Sequence, residues 1–559
     1  MTFYNFLSTW LTQFYKIFIC NLFRGKIGKI SILLLALIIG LGNAANILVM
    51  VPMPFKSHTM NSQPIFKELA KRGHNVTVVS PFPQKTPVPN LTDIVVPNFL
   101  EELSKQITSP GMLLNKGLFS HLTSLWNFGL DCVTRSLQFE QVQRLIQDTD
   151  SRFDLIIAEV WFLQEPFIAF GHKFKAPVIG IMQSYFFPKT AFLNGNHYTT
   201  AFSKFNDRMT FMERAINFAF QYWDIVVGNL YYLKKQEALM REYFKYPGSE
   251  NLPPIEDLLR NISLTLIEQN TAIGYPEPLQ KNVIPYGGIN VQDVQQLPED
   301  LKKILDNAKS GVIYLSFGSY FDITVLEPFM QDAILSALGK LKYKVLLKAE
   351  NSSILQNYSS KNEVVRNWFP QSAVLAHPNC KLFITHGGMH GLVEAVYHAV
   401  PMVVIPLRGD QNYNAKFIVN EGIGYSLDKN SITTELLLEA VDRVLHNPTY
   451  QEKIQERSSI FKDLPIPTMD HVIYWIEYVI RHRGAAHLRP AVLDLHWYQY
   501  LMLDVIAFCI FSVCVILYIL KKILSLLIGC VKAVLYGDKV SKKKDVSNKR
   551  TYKRKSKKE

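Results

Sequence analysis

The sequence predicts an α/β protein: two doubly wound, Rossmann-like domains facing a cleft, followed by one C-terminal transmembrane helix. Three observations predict it. Short apolar, β-branched runs alternate with helical patterns from residue 46 onward, the alternation restarts after a polar, glycine-bearing stretch near residue 290, and residues 501–520 form an apolar run whose one charge is Asp504. A strand, a crossover helix and a second strand make a βαβ unit, and because helices cover both faces of its parallel sheet, the strands read as continuous apolar runs.

Residues 1–45 read as an N-terminal prefix and signal peptide. Arg24, Lys26 and Lys29 precede an apolar stretch at 30–41, and Gly42-Asn43-Ala44-Ala45 supplies small residues for cleavage near Ala44 or Ala45. The first domain, 46–285, opens with a strand at 47–51, a loop over 52–60, a helix to Arg72 and a strand at 76–79. The same grammar returns at 154–158 and 178–181. A connection at 287–300 leads into the second domain, 286–465, with strands expected at 312–317, 344–348, 382–385 and 402–405. Residues 466–499 carry apolar residues at helical spacing and are expected to pack back on the body. The span occupies 500–520, close to the roughly 20 residues needed to cross a bilayer, and ends at Lys521-Lys522. A basic tail fills 521–559.

Charge assigns the topology. The 559 residues hold 60 Lys and Arg against 47 Asp and Glu, a net of +13, of which the tail carries +11 and residues 1–45 carry +4, leaving −2 for residues 46–520. The basicity therefore lies outside the folded body, which argues for a membrane surface and against nucleic acid as a partner. By the positive-inside rule the tail is cytosolic and the body lumenal, a single-pass type I arrangement. Lys555 and Lys557, five and three positions from the end, resemble the dilysine retrieval signal of endoplasmic reticulum membrane proteins. Of six cysteines only Cys132 and Cys380 belong to the body, as free buried thiols or one disulfide. Sequons at Asn75, Asn90, Asn261, Asn351 and Asn357 suit a lumenal glycoprotein, although Asn75 enters a strand.

The chemistry concentrates in Phe383-Ile384-Thr385-His386-Gly387-Gly388-Met389-His390-Gly391, continuing through Glu394 to Pro401, Pro406 and Asp410-Gln411. A strand ends at Thr385, a glycine turn lets backbone approach a ligand, and a helix then starts with free N–H groups toward the cleft, a geometry that binds phosphate. Asp410 and Gln411 follow the next strand and offer an acceptor and an amide for sugar hydroxyls. This segment resembles the signature of the UDP-glycosyltransferases, most closely the animal UDP-glucuronosyltransferase type. Phe317-Gly318-Ser319, Asn367-Trp368-Phe369-Pro370-Gln371 and Asp494-Leu495-His496-Trp497 extend the resemblance over about 46–522.

The resemblance implies a GT-B fold and an inverting mechanism with no metal and no resident cofactor, the UDP-sugar being a co-substrate. It places Trp368 on uracil and Gln371 near the base or ribose. Ser319, Thr385, His386, Gly388 and His390 fall on the diphosphate, Glu394 on the ribose hydroxyls, and Asp410 and Gln411 on the donor sugar. Histidine suits a general base because its pKa lies near working pH, provided a carboxylate steadies the imidazolium. His58 matches the family's base; its helper, usually an aspartate, is here Glu159, one methylene longer, with Asp154 as the alternative at the start of the same strand. Arg408 is either a cation for a glucuronate carboxylate or a loop charge, so UDP-glucose and UDP-glucuronate both stay open as donors. Residues 100–246, rich in Phe, Tyr, Leu and Trp, read as core and as a pocket for a small lipophilic acceptor, as in detoxification or conjugation. Homo- or hetero-oligomers are compatible with the sequence. The competing readings are a catalytically silent UDP-sugar-binding partner of active relatives and, less suited to a membrane anchor, a nucleotide-sugar epimerase.

Overall fold

The computed structural model describes residues 44–100, 102, 118–195, 205, 207–291, 296–319, 321–349 and 362–555. The expected signal peptide, the sequons at Asn351 and Asn357, parts of the aromatic segment (103–117 and 196–204) and residues 556–559 of the lysine signal lie outside the described residues.

Seven strands form the first sheet: β1 (Asn46–Met50), β2 (Asn75–Ser80), β3 (Leu91–Val95), β4 (Leu155–Ala158), β5 (Val178–Met182), β6 (Leu264–Ile267) and β7 (Val283–Pro285). They are parallel throughout, in the order β3-β2-β1-β4-β5-β6-β7. The chain moves outward in one direction from β1, then returns to lay β4 on its other side. The C-terminal ends of β1 and β4 therefore flank a switch point, where open α/β sheets leave a crevice. Helices α1 (Lys56–Lys71), α2 (Leu118–Gln138) and α3 (Phe211–Val227) belong to this half.

The loop expected at 52–60 is shorter than the sequence suggests, because α1 starts at Lys56 and runs through Pro64. The polar residues of its first turns, Thr59, Asn61 and Ser62, are buried, and Gln183 meets this turn from β5's end: Asn61 donates to Gln183 at 3.0 Å and Gln183 donates to the His58 carbonyl at 3.0 Å. A helix start with its polar face turned inward is invisible to a hydrophobic pattern.

The second sheet, β8 (Val312–Ser316), β9 (Lys344–Lys348), β10 (Glu363–Arg366), β11 (Cys380–Thr385), β12 (Met402–Val404) and β13 (Gly424–Ser426), is also parallel, ordered β10-β9-β8-β11-β12-β13. Its switch point lies between β8 and β11. Helices α4 (Met389–Tyr397) and α5 (Gln411–Asn420) start at the ends of β11 and β12. Helix α6 (Thr468–Arg481) leaves this half and packs on the first: Val472, Ile473, Ile476 and Val479 share a core with Ile47, Val49, Ile65 and Phe66, and Arg72 donates to Asp470 at 2.7 Å. Cys132 and Cys380 are buried free thiols.

Residues 491–559 form a separate unit dominated by α7 (Leu503–Lys555), a helix of 53 residues. Its apolar part, Leu503–Tyr536, is long enough to cross a membrane and spans 34 residues, so Lys521-Lys522 does not end it. Lysine is a good helix former, and its long stem lies along an apolar surface without breaking the pattern.

Candidate active site

Both switch points open on one cavity of about 760 Å³. His58 stands in the first turn of α1, after β1, and Glu159 directly follows β4. Because β1 and β4 are neighbours, their ends bring the two side chains together: His58 Nδ1 lies 2.5 Å from Glu159 Oε1. The second carboxylate oxygen accepts from Gln164 Nε2 at 2.9 Å, so both Glu159 oxygens are used and the side chain is fixed. Nδ1 is thereby occupied, which leaves Nε2 as the nitrogen available to a ligand in the cavity that His58 lines. Burial disfavours the imidazolium, but Glu159, then Glu268 and Asp410, favour it by more, and the ring titrates above the ordinary histidine value. Phe55 and Phe162 press on the ring with centroids at 5.1 Å, and Phe128 adjoins Phe55, so the base sits in an aromatic box. Asp154 is at the other end of the sheet, where its carboxylate accepts from the Asn46 amide at 2.8 Å.

Across the cavity, Thr385 ends β11 fully buried, and Gly387 turns with φ +81°. A Cβ on Gly388 would sit 2.6 Å from His386 Nε2, and one on Gly318 would sit 2.8 Å from His386 Cε1, so two glycines make room for this imidazole. Burial, then Lys348, pushes His386 down to about 4, which keeps it neutral. His390, the second residue of α4, behaves oppositely: burial lowers its pKa, but Glu394 at 3.8 Å and Glu268 at 3.9 Å raise it to about 9. The site thus holds a fixed cation at the start of a helix, suited to a diphosphate.

Glu394 is buried and accepts from Gln371, which in turn accepts from Tyr314 at 3.2 Å. Gln371 and Glu394 therefore form one polar unit. Trp368 is 45% exposed, excluding a core role, and the Lys56 ammonium lies 3.8 Å from its ring centroid. Asp410 immediately precedes α5; burial raises its carboxyl to about 6, and the Asn414 side chain donates to it at 2.9 Å. Gln411 Oε1 accepts from the Leu407 and Arg408 amides at 2.7 and 2.8 Å, which presents its amide nitrogen. Ser319 and Arg408 line the same cavity. The structure so brings all twelve sequence-selected side chains and turns, His58 and Glu159 included, to one cleft or directly behind its wall.

Sequence reasoning missed Glu268, Asn290, Lys56 and Lys348, all at the cleft. Glu268 is the most consequential: it follows β6, is 2% exposed, and its Oε1 has no hydrogen-bond partner among the described residues. Its position one residue past an apolar strand was the available signal, since strand C-termini face the crevice.

The family described as UDP-glucoronosyl and UDP-glucosyl transferase matches residues 131–539, more than half of the chain. The chain belongs to the UDP-glycosyltransferase family. It is 34% identical over 511 residues to UDP-glucosyltransferase 2 of Dactylopius coccus, covering 89% of this chain and 95% of that one. It is 30% identical over 498 residues to UDP-glucuronosyltransferase 2B23 of Macaca fascicularis, covering 83% and 90%. Among solved structures, a UDP-glucosyltransferase from Polygonum tinctorium aligns with a TM-score of 0.53 at 15% identity, covering 78% of this chain and 99% of that one, and a kitacinnamycin glycotransferase with 0.52 at 19%, covering the same shares. These structural likenesses identify the fold as GT-B. This UDP-glycosyltransferase is an enzyme that moves sugar from a UDP-sugar donor to an acceptor, and its apolar C-terminal helix fits a membrane-anchored protein.

Proposed function

We propose that the enzyme transfers a hexose or hexuronic acid, with inversion, from UDP-glucose or UDP-glucuronate to a hydroxyl of a small lipophilic acceptor. The observation that carries this reading is the 2.5 Å contact between His58 Nδ1 and Glu159. The acceptor hydroxyl gives its proton to His58 Nε2 as its oxygen attacks the anomeric carbon. The bond to the UDP oxygen breaks on the opposite face, and Glu159 stabilises the imidazolium that forms. One methylene more than aspartate still reaches the ring, which supports an active enzyme over a silent UDP-sugar-binding partner. Phe55, Phe128 and Phe162 around the base favour an aromatic or lipophilic acceptor.

On the donor side, His390 and the α4 N-terminus hold the diphosphate, with Ser319, Thr385, His386 and Gly388 shaping its seat. Trp368 stacks on uracil, the Gln371–Glu394 pair binds ribose hydroxyls, and Asp410 and Gln411 hold the sugar. Neither a metal nor a resident cofactor enters these steps. The tail charge supports a lumenal body and a cytosolic tail in the endoplasmic reticulum membrane.

Microsomes carrying wild type or His58→Ala, assayed with UDP-glucose and UDP-glucuronate over a phenol panel, test the reading. Loss of transfer with retained UDP binding in the variant is expected. Transfer that survives the substitution rejects His58 as the base, and no transfer by wild type on any acceptor favours the silent partner.

A further inference from the structure

Lys56 reaches across the cleft. It is the first residue of α1, two before His58, and its ammonium lies 3.8 Å from the centroid of the Trp368 ring, which follows β10 of the second sheet. The contact is a cation over an aromatic face, and it joins the helical turn that carries the base to the side chain proposed for uracil. A run of contacts leads from one of these ends to the other. Gln371, three residues after Trp368, donates to Glu394, Glu394 stands 3.8 Å from His390, and His390 stands 3.9 Å from Glu268, whose charge acts on His58. Lys56 spans the same ends with one side chain: its backbone is in the turn of His58 and its tip is at Trp368. Its four-carbon stem therefore runs beside the stretch proposed for ribose and diphosphate.

Charge says what that stem can do. A diphosphate is a multiply charged anion, and the start of α4 offers it little net charge: His386 is neutral, and His390 faces two carboxylates. Lys348, buried at the end of β9, and Arg408, in the loop ahead of Asp410, add cations to the cavity wall from the second sheet's side. Lys56 adds one from the turn that carries the base.

We propose, and this rests on the donor seat inferred above, that Lys56 is a donor-binding residue supplied by the acceptor half: when uracil takes the Trp368 face, the ammonium passes from the ring to the diphosphate. The exchange is favourable because an ammonium on a phosphate oxygen makes a charge-assisted hydrogen bond, stronger than a cation over a half-exposed ring. Lysine suits it, since a compact charge on a flexible stem can change partners. Because Lys56 and His58 share one helical turn, the exchange ties the turn of the base to an occupied donor site.

The test compares UDP with uridine, which has the base and ribose but no diphosphate, by titration calorimetry on the full chain in detergent micelles. Wild type should bind UDP more tightly than uridine. Lys56→Gln should cut that preference about 10-fold by weakening UDP while uridine keeps its affinity, the range for losing a hydrogen bond to a charged group. Lys56→Arg, which keeps the charge, should restore the preference. Equal losses for UDP and uridine in Lys56→Gln would make Lys56 a clasp on Trp368 and nothing more, and would overturn the proposal, as would an unchanged preference. Trp368→Ala tells this failure from a failure of the donor seat. Weaker binding of both ligands in that variant keeps the seat, so that a failure at Lys56 concerns Lys56 alone, whereas wild-type affinity for both removes the seat and the proposal with it.

Discussion

His58 Nδ1 and Glu159 Oε1 are 2.5 Å apart although 101 residues separate them in sequence, and the second Glu159 oxygen is tied to Gln164. A carboxylate this firmly held both orients the imidazole and raises its pKa. Glu159→Gln removes the charge and should lower kcat/KM by about 100-fold, within the range for a general base losing its electrostatic support. Because a raised pKa leaves less neutral base as pH falls, the acidic limb of the rate profile should move to lower pH in this variant even as the plateau drops. A pH–rate profile over mildly acidic to neutral buffers reads both; an unmoved limb would separate His58 from Glu159.

For His390, proposed to face the diphosphate, burial lowers the pKa but Glu394 and Glu268 raise it by more, to about 9. The groups facing it are Glu394 on its own helix, Glu268 after β6 and Asn290 in the connection, whose amide nitrogen lies 3.1 Å from Nε2. UDP affinity should be flat through neutral pH and weaken as pH rises through about 9, where the ring loses its proton. Titration calorimetry of UDP at several pH values measures this, and in His390→Gln the alkaline weakening should vanish. Persistence of the same pH dependence in the variant assigns it elsewhere.

Trp368 is exposed at the cleft, with Lys56 on its ring. Trp368→Ala should weaken UDP binding by about 1–3 kcal/mol if uracil stacks there. A dissociation constant equal to wild type would remove the ring from the donor site, whereas loss of UDP binding with unchanged acceptor binding would keep it.

A buried ion pair away from the cleft tests the scaffold. Lys189 Nζ meets Glu165 Oε1 at 2.8 Å with both side chains almost fully buried, and Tyr232 donates to the other Glu165 oxygen at 2.9 Å. Glu165→Ala strands an ammonium in the core and should cost about 3–5 kcal/mol of stability. Denaturant unfolding of the purified protein reads it; a loss below about 1 kcal/mol would show that water or a rearranged partner replaces the carboxylate.

The proposed donor half of the site was legible because its residues are clustered: a strand, a glycine turn and a helix start lie within Phe383–Gly391, and local sequence is enough to specify that strand–turn–helix geometry. The acceptor half was legible only in part. His58 was visible after β1, but its place on a helix was not, since α1 turns Thr59, Asn61 and Ser62 inward. Glu268 was silent because a lone glutamate after an apolar strand is ordinary until its neighbours are known.

By itself the sequence determined the alternation of strand and helix, the donor signature, the apolar C-terminal helix and the confinement of basic charge to the ends, all of which are properties of short windows or of composition. Tertiary structure alone decided that β4 lies beside β1 and so how closely Glu159 meets His58, that Glu268 reaches His390 from the first sheet, and that α3 turns its apolar face outward. The physical reason is the parallel sheet. Its neighbours are chosen by long crossovers and not by adjacency in sequence, so which strand ends share a crevice is fixed only when the whole sheet is assembled.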